Sequence, residues 1–388
     1  MMQSAAILWH VSLLVPPSQR GLALGMVGLV RVIPIIVLSL IAGVVADAVD
    51  RRRLLIVTQS GMALSAATLA WVTFSGIHAL WPVYLLAGCG SAFGSFDGPA
   101  RQSLIPNLVP REHLPNAISL NTIMFQIAAV LGPALGGLVI GTLNVGWAYA
   151  LNAISFLFVI GALIAMRDIP RREGDGTARI TFAAAGEGLR FVFRAPLIRS
   201  TMLLDFFATF FASATALLPI YAQDILKVGA QGYGMLSAAP SVGALIMSAV
   251  LVRRIDDIQR RGRVMLWSVA GFGVATIVFG LSRNFALTFA CLALTGATDT
   301  VSMVIRNIIR QLNTPDELRG RMTSVNMLFF MGGPQLGELE AGLVAHGFGA
   351  AFSVVTGGVA CVLATAWVAA RTPLLRAYRR GSEPIGPA

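Results

Sequence analysis

The chain has 388 residues, 56% hydrophobic and only 12% charged, with a mean hydropathy of +0.76 and a net charge of +11. Soluble domains carry about 25% charged residues, so this composition excludes an ordinary soluble protein. In so apolar a chain the positive balance reads as orientation in a membrane, not as nucleic-acid binding.

Twelve apolar spans follow one another, at 1–16, 22–46, 54–75, 80–104, 117–141, 146–166, 200–222, 232–252, 264–282, 285–309, 322–345 and 349–370. Most are near the ~20 residues that a helix needs to cross ~30 Å of hydrocarbon. Backbone groups in lipid must be bonded internally, and runs this long satisfy that as helices.

The first span holds His10, which reads as a packing residue or as a proton or substrate contact. It is short before Pro16-Pro17, has no basic n-region, and is expected to lack its cytoplasmic start. The second span contains Arg31 and ends in Gly43-Val44-Val45-Ala46-Asp47-Ala48-Val49-Asp50-Arg51-Arg52-Arg53. The fourth carries Asp97 and, one helical turn later, Arg101. The fifth contains Gly132-Pro133-Ala134-Leu135-Gly136-Gly137, where a proline removes a backbone donor and glycines allow close helix approach.

A charged stretch from Arg167 to Arg199 separates spans six and seven and reads as a linker with an amphipathic surface helix. Span seven carries Asp205 and the aromatic set Phe206, Phe207, Phe210 and Phe211. These phenylalanines, with Met303, are expected to line a cavity suited to lipophilic ligands. After span eight, Asp257-Ile258-Gln259-Arg260-Arg261-Gly262-Arg263 echoes the earlier acidic-basic loop. Span ten has Asp299 at its middle and Arg306 near its inner end. Span eleven has Glu338 and Glu340, about 200° apart around a helix, so both cannot face one cavity. Residues 384–388 are expected to be a disordered tail.

Ionisable groups inside spans are costly to bury, which makes Arg31, Asp97, Asp205, Asp299, Glu338 and Glu340 the first site candidates. Asp299 is the leading candidate for proton coupling or cation binding. Arg31 is expected to pair with one of the acids, because a bare arginine in lipid is very unfavourable. Cys89, Cys291 and Cys361 lie within apolar runs and read as small packing residues. There is no phosphate loop, nucleophile elbow or metal-ligand spacing, so no cofactor and no metal are expected.

With both termini cytoplasmic, all but four of the 29 basic residues fall in inner loops or inner helix ends. The exceptions are Arg20, Lys227 and Arg283 outside and Arg31 within a span. Arg101–Val139 aligns without gaps to Arg306–Val344, with matches that include Arg101/Arg306, Gly132/Gly337, Gly137/Gly342 and Val139/Val344. The repeat divides the chain into a first half, 1–166, a linker, 167–199, a second half, 200–370, and a tail, 371–388. Parallel six-helix repeats with a site between them describe an alternating-access transporter.

The chain resembles the major facilitator superfamily over nearly its whole length. Within it, Gly98-Pro99-Ala100-Arg101-Gln102-Ser103-Leu104-Ile105-Pro106-Asn107-Leu108-Val109-Pro110 and Asn116-Ala117-Ile118-Ser119-Leu120-Asn121 resemble the branch of enterobactin exporters and macrolide-type efflux proteins. The resemblance implies an all-α membrane protein of twelve helices in two parallel halves. It implies that spans one, four, seven and ten line the cavity. It also implies a cytoplasmic latch of Gly43, Asp47, Arg51, Asp97 and Arg101, echoed by Asp257, Arg261 and Arg306. Ala48 and Asp50 depart from the family's basic residue and glycine there; the alternative to a latch is that the arginines serve orientation alone. Gly132, Pro133, Gly136 and Gly137 resemble the end of an antiporter motif, although a tight helix contact without bearing on direction explains them too.

The expected function is secondary active export of hydrophobic drugs, siderophores or other metabolites from the cytoplasmic membrane. Protons are the expected coupling ion, and the protein is expected to be a monomer in the bilayer, without nucleic acid. An importer, or a transporter-like sensor or assembly partner that no longer transports, are the alternatives.

Overall fold

The computed structural model describes residues 1–166, 190, 192–212 and 214–381. Most of the expected linker, and residues 382–388 of the expected tail, therefore lie outside the described residues. So do some side chains within helices, Asp47 among them, and the surroundings of Gly43.

Helices occupy all twelve expected positions. They are α1 (Met2–Leu14), α2 (Arg20–Ala48), α3 (Arg51–Phe74), α4 (Leu80–Leu108), α5 (Leu114–Thr142) and α6 (Val145–Ala165) in the first half. The second half has α7 (Pro196–Phe211), α8 (Gly229–Arg254), α9 (Arg261–Leu281), α10 (Phe285–Leu312), α11 (Asp316–Phe348) and α12 (Ala350–Arg371), followed by the short α13 (Pro373–Ala377). Nine helical segments among the described residues are long and apolar enough to cross a membrane; α1, α4 and α11 are not among them. Span seven is not one helix. Beyond α7 it continues as a 3-10 turn at Ala214–Leu217, a single turn at Leu218–Ile220 and a π turn at Tyr221–Ile225. Pro219 lacks the N–H that would carry the α ladder through this stretch.

Two loop residues define helix ends in ways that their charge alone does not suggest. Asp50 caps α3 by accepting the Arg53 backbone N–H at 3.1 Å, instead of pairing with the Arg53 side chain. Arg52 donates to the Leu163 and Ile164 carbonyls at 2.6 and 2.7 Å, satisfying the C-terminus of α6.

The two groups of six helices meet along two seams, α2 against α11 and α5 against α8. Each seam is a glycine contact. A methyl group at Gly342 would lie 2.5 Å from the Gly25 Cα, and one at Gly137 would lie 2.5 Å from the Gly234 Cα. Gly137 and Gly342 are matched positions of the sequence repeat, so the repeat reproduces one contact twice. All four seam helices also carry an internal proline, at Pro34, Pro133, Pro240 and Pro334. Internal prolines bend helices by removing a ladder bond.

The seams close only one end of the molecule. There Arg20 pairs with Asp224 at 2.6 Å, Gln223 donates to Ser12 at 2.6 Å, and Tyr233 donates to the Ala5 carbonyl at 2.9 Å. His346 meets the Ser18 carbonyl at 3.0 Å, and Trp9 stacks on Tyr233. Toward the arginine-rich end, Ile33, Ile36 and Val37 of α2 and Ile118 to Phe125 of α5 are exposed instead. Among the described residues, the structure is thus sealed at the arginine-poor end, while α5 is uncovered toward the other.

Gly342→Val is expected to prevent that seal. Overpacking costs roughly 1–3 kcal/mol, and each 1.4 kcal/mol moves an equilibrium about tenfold. In a cysteine-free chain carrying Ser12→Cys as reporter, where Ser12 is fully buried, maleimide labelling should accelerate when Gly342→Val is added. Equal labelling with and without it would contradict the seam.

Candidate functional site

The candidate acids separate into distinct environments. Asp205 on α7 and Asp299 on α10 converge on Arg306 of α10. The Arg306 guanidinium stands 2.7 Å from Asp205 and 3.6 Å from Asp299. Arg306 and Asp205 are buried at 2% and 5% exposure, whereas the Asp299 side chain is 44% exposed. The close Arg306–Asp205 contact is an ion pair that lies off the hydrogen-bond line. Asp299 sits seven residues before Arg306, two helical turns along the same face, so α10 itself brings them together.

One turn beyond Arg306, Arg310 is also buried and donates to Asn307 and Asn326. Asp205 is therefore committed to Arg306, and Asp299 is the loosely held, solvent-facing carboxylate. The cluster can exchange a proton at Asp299, or accept a cationic group there, without breaking the buried pair.

The matched position in the first half behaves differently. Arg101 pairs with Asp97 on its own helix at 3.0 Å and is exposed. Asp97 also accepts from Gln59 at 2.6 Å and Thr58 at 3.4 Å. Its partners here do not include Arg51, which the family resemblance had implied; Arg51 has its own interaction elsewhere. The latch reading of Asp47 and Gly43 lies outside the described residues.

The second acidic-basic loop packs against the segment just beyond its own half. Among the described residues, Asp257 pairs with Arg254, at 3.8 Å on the surface. Arg261 is buried at the start of α9, and the next residue, Gly262, lies against the Leu375 carbonyl and donates its N–H to the Tyr378 carbonyl. Arg306 is not at a loop at all; it is the centre of the charge cluster.

Of the remaining candidates, His10 is buried and sits 3.2 Å from the Tyr149 hydroxyl. Gly132 and Gly136 pack against Met1 and Met2, and Gly137 against Gly234, which makes the antiporter-like run a helix-packing surface here. Arg31 and Glu338 are both buried and feel each other's charge, but they stand beyond the 4.0 Å of an ion pair. Among the described residues, Arg31 therefore has no carboxylate within ion-pair distance in this conformation. Glu340 is half-buried. The aromatic set divides: Phe207 packs edge-on against Trp367 of α12, while Phe206 stacks on Phe210 and approaches Gly333 of α11.

The sequence did not reveal Arg306 as a bridge, Gln59 as a partner of Asp97, or the Arg20–Asp224 clasp. Those partners are 101, 38 and 204 residues apart or lie on different helices, so no local spacing could have marked them.

An all-helical bundle whose two groups of six helices meet along two glycine seams is a transporter of the major facilitator fold, not an enzyme. Residues 1–384 match the family model of the transmembrane secretion effectors, and the chain belongs to that family. It is 28% identical over 286 residues to the enterobactin exporter EntS of Shigella boydii serotype 18, covering 74% of this chain and 68% of that one. The same exporter of Escherichia coli O1:K1 is 27% identical over the same lengths.

The fold is shared with a D-xylose–proton symporter, at TM-score 0.71, 14% identity and 95% coverage of both chains. It is shared too with a bacterial homolog of the human lysosomal transporter Spinster in an inward-facing, unoccupied conformation, at TM-score 0.72 and 14% identity, covering 98% of this chain and 97% of that one. The protein is accordingly a multi-pass membrane transporter.

Proposed function

We propose that this protein is a proton-driven exporter of amphiphilic small molecules, siderophores among them, in the cytoplasmic membrane. The observation that carries the reading is the Asp205–Arg306–Asp299 cluster, in which a buried ion pair holds one exposed carboxylate in reserve. Such a group can carry a proton in one conformation and release it in the other. The kinship with enterobactin exporters supports export and the siderophore class.

The halves 1–166 and 200–370 would rock about this midplane site, with the seams closing the outer end. The concentration of arginine at the opposite end supports cytoplasmic termini and an inward-facing state. A site contained within one chain supports action as a monomer.

Inverted membrane vesicles with an imposed pH gradient, acidic inside, test the reading. A panel of catecholate siderophores, macrolides and lipophilic cations is offered from outside. At least one should accumulate, and a protonophore should abolish the accumulation. If every compound moves independently of the gradient, proton-driven export is wrong; movement only in the opposite sense makes the protein an importer.

A further inference from the structure

The sealed α2–α11 seam contains a charged group that the Asp205–Arg306–Asp299 cluster does not use. Glu338 is 8% exposed, and its Oε2 is buried without a hydrogen-bond partner. The Gln335 Oε1 beside it is equally unpartnered. Gly28 of α2 lies directly over both: a methyl there would come 2.5 Å from the Gln335 carbonyl and 2.8 Å from the Glu338 Cβ. Arg31, three residues further along the same face of α2, supplies charge from beyond ion-pair distance. An ionised carboxylate with one bare oxygen is very unfavourable in such a place, whereas a neutral carboxylic acid fits.

We propose that Glu338 is a proton-binding site built into the seam, occupied while α2 and α11 are closed and emptied when they part. The step is a single proton transfer. When the seam opens, the carboxyl O–H bond breaks, the proton passes to water, and the carboxylate remains in solvent within reach of Arg31.

Other titratable and charged groups near the seam are few. Tyr233 of α8 faces Glu338, with its hydroxyl donated to the Ala5 carbonyl. The Met1 amine lies near Arg31. On α7, Asp205 is held by Arg306; on α12 the charge is Arg371, at the far end; the Ala214–Leu217 turn is uncharged. On α11 itself, Glu340 points to another side, and His346 lies two turns on against Ser18.

The sign follows directly. The closed state holds the extra proton, so acid favours closure and alkali favours opening. One linked proton changes the closed-to-open ratio by up to about tenfold per pH unit.

This inference rests on the alternating-access reading. Its test needs neither substrate nor gradient, so its failure is distinguishable from failure of proton-driven export. Spin labels are placed at Leu143 and Phe348, both exposed at the sealed end on opposite halves, in a chain whose three cysteines are replaced. Electron–electron distance distributions are recorded in lipid nanodiscs from pH 5 to pH 9.

The short-distance population of the otherwise unaltered protein should give way to a longer one as pH rises. Glu338→Gln should hold the short distance throughout, and Glu338→Met serves as a second neutral variant should the amide fold poorly. His346→Gln should keep the pH response. The proposal is overturned if both neutral Glu338 variants retain the shift, if no shift occurs in the parent, or if His346→Gln abolishes it.

Discussion

Asp299→Asn should eliminate proton-driven accumulation while leaving the protein in the membrane at its normal level. Asparagine keeps the shape and polarity of the side chain but cannot carry an exchangeable acidic proton. Because Asp299 is the more distant and more exposed partner of Arg306, its replacement leaves the buried Arg306–Asp205 pair in place. Folding should therefore be little affected.

A gradient of one pH unit is worth about 1.36 kcal/mol per proton, or up to roughly tenfold accumulation for one coupled proton. In Asp299→Asn vesicles the inside-to-outside ratio should fall toward unity. Exchange of labelled for unlabelled substrate, which needs no net proton movement, should persist. Asp299→Glu should restore part of the coupling. Unchanged gradient-driven accumulation in Asp299→Asn would remove this residue from the coupling site, even if the protein proved to be an exporter.

Arg306→Gln should have the largest effect on stability. The guanidinium is 2% exposed, and Asp205 has no other cation within ion-pair distance among the described residues. Removing one member of a buried pair leaves an uncompensated charge and costs about 3–5 kcal/mol. Asp205→Asn, which removes that stranded charge, should return most of the loss when combined with Arg306→Gln. Thermal unfolding in detergent across the four proteins of this double-mutant cycle measures the coupling. The double variant should be folded yet unable to couple transport to the gradient, because Asp299 then lacks its positive neighbour. Additive losses, with no rescue, would show that the pair does not act as a unit.

The contrast between Arg101 and Arg306 explains why the candidate site was only partly legible. The repeat aligns them, and both stand near inner helix ends in the sequence. Arg101 finds its acid four residues away on the same helix, so sequence spacing alone suggests that contact. Arg306 finds its closest acid 101 residues away on α7, a pairing set by how α7 and α10 pack. The acidic-basic loops show the same limit. Their likeness in sequence suggests one mechanical role twice, yet the second loop docks against α13, just beyond its own half. Glu338 and Arg31 were recognised as costly to bury, but their separation across a closed glycine seam depends on backbone approach that no side-chain pattern records.

The sequence by itself determined that this is a helical membrane protein, where its apolar segments lie, that its basic residues gather at one set of helix ends, and that part of the first half recurs in the second. Those properties depend on composition, period and charge along a single strand of chain, which lipid reads locally. Only the tertiary structure decided which end is sealed, which acids share a cation and which glycines touch. Each of these rests on helices distant in sequence meeting at a few ångströms, where one methyl group or one unpartnered oxygen changes the balance.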